Sequence, residues 1–231
     1  MSVLCEELAI GSGVKTLDAS VKQDEFNDQT GEFVAYVSVF NSVDNDNDVV
    51  LPGSWQKSLE AHTGPNKMPV IFAHQHVDLK AWLGEVIDGA ELTAGNPHLP
   101  EKIRHLGAVR IHGQIDGIGK GYDPTNRDFE NHRAAYRQMR GGRLKQFSFA
   151  FGPGGTARMM DFEGKAVRGL VDLPVIEVGP CLAGVNGQTM LENIKAIQQP
   201  TEAQPTPRNS STVLDNPDDD RARRLALLSL F

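Results

Sequence analysis

The sequence has few cysteines, no excess of positive charge and no long apolar run. Its 231 residues include 2 cysteines, Cys5 and Cys181, which excludes a disulfide framework and favours a reducing compartment. The formal net charge of -7 argues against a nucleic-acid binder that works through a broad basic face. No apolar run approaches the length of a bilayer span, and no basic region precedes an apolar run at the start, so we expect neither a membrane association nor a signal peptide.

What the chain does contain is typical of a globular protein built mainly from short strands. A length of 231 residues, with 39% hydrophobic and 23% charged residues, suits one sizeable core. Several alternating segments and few helical ones predict a mainly β fold with flanking helices (α+β). We expect a closed or partly closed antiparallel β-barrel-like core. The predicted elements include a hairpin of residues 14–24 and 32–41, helices at 52–62, 123–140 and 189–199, a strand at 68–76, and a hairpin turning at Glu163-Gly164.

The composition changes at Pro200, where the segment PTEAQPTPRNSSTVLDNPDDD begins. Segments rich in Pro, Ser and Asp bury too little apolar surface to fold alone. We therefore predict a domain of residues 1–199 and a disordered tail of residues 200–231. Asp218, Asp219 and Asp220 favour a helix start, so the tail is expected to end in a short helix.

The segment RLKQFSFAFGP, residues 143–153, places a serine on a strand that is anchored by aromatic residues. Phe147, Phe149 and Phe151 recur with a period of two and share one strand face. Ser148 lies on the opposite face with small and polar neighbours. A hydroxyl on so well anchored a strand is a candidate nucleophile, although an ordinary surface hydroxyl explains Ser148 equally well when it is taken alone.

Two further residues supply what a serine nucleophile needs. His74 lies where an apolar strand ends, and Glu177 lies in the apolar segment VIEVGP. A serine attacks only after a base takes its proton, and the base must be held in one tautomer. A carboxylate in apolar surroundings needs a partner, which is either this histidine or an arginine such as Arg143 or Arg158. Together Ser148, His74 and Glu177 have the chemistry of a catalytic triad.

The same region permits a metal site. The segment FAHQHVD gives the spacing HxHxD, with His74, His76 and Asp78 as candidate ligands. This pattern is the first part of the HxHxDH motif of metallo-β-lactamase-like hydrolases, but Leu79 stands where the last histidine belongs. The acidic run DNDND of residues 44–48 has Val49 where a calcium-binding loop needs glycine, so it is interpreted as a polar turn.

The motifs resemble those of the prohead (capsid maturation) proteases of tailed bacteriophages, distant relatives of herpesvirus assemblin. The resemblance runs from about residue 31 to 195. It rests on four segments in the family's order, namely VSVFNSVDNDNDVVLPGSW, VIFAHQHVDLKAWLGEV, GGRLKQFSFAFG and VIEVGPCLAGVNGQT. It implies a fold like that of assemblin. It also places Ser148 at the family's nucleophile, His74 at its general base and Glu177 at the proposed third position. Gly179 departs from the family's small hydroxyl residue.

The resemblance implies a serine endopeptidase without a cofactor, acting in the host cytoplasm inside the assembling procapsid. Its expected substrates are the scaffold protein, N-terminal segments of the major capsid protein, and the chain itself, with self-cleavage expected between about Gln199 and Asp220. A monomer and a homo-oligomer both remain open. Two other functions also remain open, namely a metal-dependent hydrolase using His74, His76 and Asp78, and a non-catalytic assembly protein that binds scaffold.

Overall fold

The computed structural model describes residues 7–17, 26–62 and 65–182. The predicted helix at 189–199, the predicted tail at 200–231 and the boundary between the two predicted domains lie outside these residues. Within the described ranges β-strands predominate, and the few α-helices and short 3-10 turns lie between some of them, in keeping with the predicted mainly β class. None of the described helices has both the length and the apolar character that a bilayer span requires.

The described residues form twelve strands and two α-helices. The strands are β1 (Leu8–Ile10), β2 (Gly13–Leu17), β3 (Phe26–Asn27), β4 (Glu32–Val39), β5 (Asp48–Val50), β6 (Pro69–Ile71), β7 (Trp82–Leu92), β8 (Ala108–Ile115), β9 (Gln146–Phe151), β10 (Gly155–Phe162), β11 (Lys165–Asp172) and β12 (Val175–Cys181). The helices are α1 (Gln56–Ala61) and α2 (Glu130–Arg140).

The strands form two mixed sheets rather than one closed antiparallel barrel. The smaller sheet has the order β1-β10-β11-β5, and the larger has the order β2-β9-β12-β6-β7-β8-β4-β3. The pairs β11–β5 and β12–β6 are parallel. In the described part of the chain the end strands of the larger sheet, β2 and β3, do not pair with each other, so the closed form of the predicted barrel is wrong, while a partly closed, assemblin-like core stays a prediction. The mainly β class is correct.

The aromatic face predicted for the serine strand forms the centre of the core. Phe147 and Phe149 are fully buried, and Phe151 is nearly so. The ring of Phe147 lies 5.6 Å from that of Phe33 on β4, and the ring of Phe149 lies 4.7 Å from that of Trp55. Burying one such side chain stabilises a fold by about 1.5–3 kcal/mol. The strand that carries Ser148 is therefore among the most firmly held parts of the sheet.

Several predicted elements differ in extent or partner from those observed. β4 pairs with the two-residue β3, whereas Gly13–Leu17 pair with β9, so the predicted hairpin of 14–24 and 32–41 is wrong. The two predicted helices that lie in the described residues begin later than expected, because turns precede them: α1 starts at Gln56 and α2 at Glu130. The strand predicted to run through residue 76 ends at Ile71. The hairpin that turns at Glu163-Gly164 is present as β10 and β11.

Candidate active site

Ser148 lies in the middle of β9, in the interior of the larger sheet. Its neighbours across the sheet are Thr16 on β2 and Gly179 on β12. The residue is fully buried. Both faces of β9 are therefore covered, and Ser148 is not the exposed surface hydroxyl that the sequence alone allowed.

His74 is aimed at Ser148 by a turn rather than by a strand. β6 ends at Ile71, and a 3-10 turn covers Phe72–His74. Within it Ala73 and His74 have positive φ values of 49° and 59°. Non-glycine residues in this conformation are strained, typically by about 1–2 kcal/mol each. The turn brings Nε2 of His74 to 2.7 Å from Oγ of Ser148.

Glu177 lies on β12, between β9, which carries Ser148, and β6, which precedes the turn of His74. It is 1% exposed, and its Oε1 accepts a hydrogen bond from Nδ1 of His74. This contact replaces the arginine partner that the sequence allowed. Gly179 makes the arrangement possible, because a Cβ there would lie 1.6 Å from the backbone oxygen of Ile71. The small hydroxyl residue usual in the resembling family would therefore not fit here without moving β6 away.

The structure thus brings together all three residues that the sequence nominated. A carboxylate can only accept hydrogen bonds, so Nδ1 of His74 donates to Glu177, and Nε2 of the neutral ring is left as an acceptor. This is the tautomer that can receive a proton from a serine hydroxyl. The second carboxylate oxygen, Oε2 of Glu177, is buried and has no hydrogen-bond partner within the described residues. The catalytic roles of the three residues remain a prediction.

A competing acceptor lies beside the serine. Oγ of Ser148 is also 2.7 Å from the backbone oxygen of Lys15 on β2, to which it can donate instead of to His74. A serine hydroxyl carries one proton, and a carbonyl oxygen can only accept. Lys15 therefore competes with His74 for the proton that a nucleophilic serine has to give to its base.

The ammonium group of Lys15 lies in an acidic cluster formed by Asp44, Asp46 and Asp48. Its Nζ is 2.8, 2.9 and 2.5 Å from one carboxylate oxygen of each, respectively. Asp48 also accepts two hydrogen bonds from Arg168, at 2.7 and 2.6 Å. Burial lowers the pKa of the Lys15 ammonium, but the hydrogen bonds to the three aspartates outweigh burial and leave the pKa raised.

The sequence did not identify Lys15 as part of any site. The alternation of aspartates at residues 44, 46 and 48 was visible, and it was interpreted as a polar turn. That turn is present, since Oδ1 of Asp44 accepts from the backbone N–H groups of Asp46 and Asp48. In the sequence Lys15 is only a basic residue in an alternating segment. Ser148, which it contacts on β9, lies 133 residues away along the chain.

The metal-binding hypothesis loses one of its three residues. One ligand atom each from His74, His76 and Glu177 lies within 4.8 Å of the others, so these three could approach a single ion. Asp78 is not in this group. Its side chain accepts from the backbone N–H of Lys80 and begins the 3-10 turn at Leu79–Ala81. His76 is exposed, and its ring centroid is 6.5 Å from that of His74.

A cavity of about 420 Å³ lies next to the histidine turn but does not include the three residues. Phe72, Gln75 and Leu83 line one side of it, and Ala135 and Gln138 of α2 line the other. Ser148, His74 and Glu177 do not line this cavity. In this form of the protein the serine hydroxyl is therefore reached neither from the surface nor from the cavity.

Comparisons with known proteins found one curated relative and a solved structure, while no family model matches. The chain is 31% identical over 140 residues to the prohead protease of Enterobacteria phage HK97, an alignment that covers 52% of this chain and 60% of that protein. The chain thus spans about 60% of the length of this relative. The capsid assembly protease of bacteriophage T4 superposes with a TM-score of 0.46 at 10% identity, over 75% of this chain and 98% of that chain.

The link to herpesvirus assemblin that the sequence predicted stays a prediction. The order of four short sequence segments predicted a resemblance to the phage proteases. The alignment to the HK97 protein now extends this resemblance over about half of the chain. The resemblance of this chain to the prohead proteases of tailed bacteriophages is thereby confirmed.

Proposed function

We propose that the chain is a serine endopeptidase of phage capsid maturation. The observation that carries this proposal is the continuous hydrogen-bonded series from Glu177 through His74 to Ser148. These are the three residues that the resemblance nominates for catalysis. Similarity to a protein named prohead protease supports the biological setting. The substrates would be the scaffold protein, N-terminal segments of the capsid protein and the chain itself, inside the procapsid.

The reaction follows from the protons that each residue holds. Oγ of Ser148 attacks the carbonyl carbon of the scissile bond while its proton passes to Nε2 of His74. The carboxylate of Glu177 stabilises the imidazolium that forms. His74 then gives the proton to the leaving amine, which breaks the C–N bond and leaves an acyl group on Ser148. Water attacks this ester, again with His74 as base, and releases the new carboxylate and the free serine.

The burial of Ser148 in the sheet suits the role of a nucleophile. A side chain that is already held in place by the fold loses little further freedom in the reaction, which lowers the barrier. Phe147 and Phe149 fix the backbone on either side of it. The strained turn at Ala73 and His74 fixes the base. Strain of this kind is often concentrated at functional sites.

The test compares alanine substitutions of two buried serines, of which Ser148 is bonded to His74 and Ser38 is not. Ser148→Ala should reduce cleavage of co-expressed capsid and scaffold proteins by several orders of magnitude, measured by intact mass. Ser38→Ala is the matched control, because Ser38 is also fully buried and its hydroxyl has no hydrogen-bond partner within the described residues. Normal processing by Ser148→Ala would exclude the serine mechanism.

A second pair of substitutions separates the two histidines. His74→Ala should be inactive, whereas His76→Ala should retain most activity, because His76 is exposed and His74 is the histidine whose Nε2 lies 2.7 Å from Oγ of Ser148. The convergence of His74, His76 and Glu177 supports a metal-dependent hydrolase as the second candidate. Stoichiometric zinc in the purified protein, with activity lost to a chelator, would favour that candidate. Uncleaved scaffold in mature particles would instead favour a non-catalytic assembly role.

A further inference from the structure

The strand β2 covers the candidate nucleophile from the edge of the larger sheet. Gly13–Leu17 pair antiparallel with Phe151–Phe147, and β2 is the last strand in the order on that side. The backbone of β9 would otherwise present a row of unpaired N–H and C=O groups there. Such an edge is a general site for adding an extended peptide, whose main chain pairs in the same way.

Lys15 brings its backbone carbonyl group to Ser148 and its ammonium group to the acidic cluster, so one residue reaches both places. Its backbone oxygen accepts from Oγ of Ser148, and its Nζ lies among the three carboxylates of the acidic cluster. The side chain is 7% exposed. Arg168 is the other cation bonded to the cluster, so two cations face three carboxylates. One basic side chain is therefore an appropriate occupant of this position, because a neutral one would remove the ion pairs of Asp44 and Asp46 and leave Asp48 paired with Arg168 alone.

We infer that the edge of β9 and the acidic cluster form a substrate-strand site selective for a basic residue, and that β2 occupies this site in cis. This inference rests on the proposed serine peptidase function. The residue whose carbonyl group lies at Ser148 is the one whose side chain enters the cluster. The bond attacked is therefore expected to follow a lysine or arginine of the substrate.

In the present arrangement β2 blocks the site. The carbonyl oxygen of Lys15 and Nε2 of His74 are both 2.7 Å from Oγ of Ser148, so Lys15 competes with the base for the one hydroxyl proton. A substrate strand can pair with β9 only after β2 leaves. Because β2 is tethered to the same chain, it competes at a high effective concentration, of the order of millimolar for a short flexible tether.

The first experiment releases β2 in the full chain and measures cleavage of a peptide added in trans. Lys15→Met keeps the volume of the side chain but removes the charge, and we expect about a tenfold or larger rise in rate. Lys15→Arg should behave like the unaltered chain. Lys57→Met is the control, because Lys57 forms an ion pair with Asp172 at 2.5 Å on the surface.

A second variant displaces β2 without touching Lys15 or the acidic cluster. A Cβ at Gly13 would lie 2.6 Å from the ring of Phe151, so Gly13→Ala should push β2 away from β9. The same rise in rate is expected. This variant keeps the inference testable if Lys15→Met does not fold. If Lys15→Met and Gly13→Ala fold and cleave the added peptide at the rate of the unaltered chain, β2 does not block the site.

Peptide binding tests the selectivity independently of catalysis. The probe is a fluorescent peptide with the sequence GVKTLD, titrated into the full chain carrying Lys15→Met and Ser148→Ala and followed by fluorescence polarisation. Its affinity should exceed that of the same peptide with norleucine in place of lysine by about tenfold or more. Asp46→Asn should reduce this ratio, because Asp46 contacts Lys15 and is half-exposed, while Asp48 keeps its bonds to Arg168.

The two proposals fail in different ways. If Ser148→Ala remains active but the lysine peptide still binds selectively, the serine mechanism is wrong and the basic site stands. If Ser148→Ala is inactive but lysine and norleucine peptides bind equally, the serine mechanism stands and the basic site is overturned.

Discussion

Replacing Glu177 by glutamine separates the chemistry of the site from the stability of the fold. The amide has nearly the shape of the carboxylate, so Oε1 can still accept from Nδ1 of His74. The negative charge that stabilises an imidazolium is lost, however, and the amide can instead present its NH₂ group, which favours the wrong histidine tautomer. In serine proteases the corresponding change lowers the rate about 10⁴-fold, or about 5.5 kcal/mol of transition-state stabilisation. We expect a loss of this size for Glu177→Gln.

The stability of the same variant should change little. Glu177 is 1% exposed, and its Oε2 has no hydrogen-bond partner within the described residues. A neutral amide costs less to bury than a carboxylate, which offsets the weaker bond to His74. We expect the free energy of unfolding to stay within about 1–2 kcal/mol of that of the unaltered chain.

The assay compares initial rates of capsid-protein cleavage with urea unfolding of the same preparations. Glu85→Gln is the control, because Glu85 is an exposed carboxylate on β7 and should leave both quantities unchanged. If Glu177→Gln retains a tenth or more of the rate, Glu177 is not the residue that orients His74 during the reaction. Unfolding of the variant would show instead that the carboxylate is needed for the fold.

Three further outcomes follow from the structure. Gly179→Ala should destabilise the protein by about 3 kcal/mol or more in urea unfolding, because its Cβ would overlap the backbone oxygen of Ile71; wild-type stability would contradict this. Ala73→Gly should raise the free energy of unfolding by about 0.5–1 kcal/mol, since glycine adopts the positive φ without strain, and a decrease would show that the turn is unstrained. Burial raises the pKa of Asp48, but bonds from Arg168 and Lys15 leave it below the ordinary 3.8. This contribution to stability is present above pH 3.8 and is lost as the pH falls through the folded pKa, so the acid limb of a pH–stability curve should flatten in Asp48→Asn.

The strand of Ser148 could be predicted from sequence because its information is local. Alternation of Phe147, Phe149 and Phe151 fixes which face enters the core wherever the strand is placed in a sheet. The three nominated residues also came from sequence, but through the order of short segments and the chemistry that a nucleophile requires. Their mutual distances had no local signal, since His74 is 103 residues from Glu177 along the chain.

The parts that could not be predicted depend on long-range pairing or on strain. β2 is a five-residue strand whose sequence does not specify β9 as its partner rather than β4. The turn at Ala73 and His74 uses two residues that rarely adopt positive φ, so the segment was predicted to continue as a strand. The contact of Lys15 with the acidic cluster depends on the pairing of β2 with β9, which the sequence of β2 does not specify.

The order of strands β9-β12-β6 has a consequence for when the protein acquires its site during synthesis. His74 and Ser148 are 74 residues apart, and Glu177 is the last of the three to be made. β12 lies between β9, which carries Ser148, and β6, which precedes the turn of His74, so β6 and β9 have no direct pairing to hold them before β12 is inserted. Contacts between such distant residues form slowly, because closing a long loop costs conformational entropy before the new contacts stabilise the chain. A nascent chain that ends before residue 177 therefore has the serine and the histidine but not the carboxylate, so the candidate site can assemble only after β12 has been made.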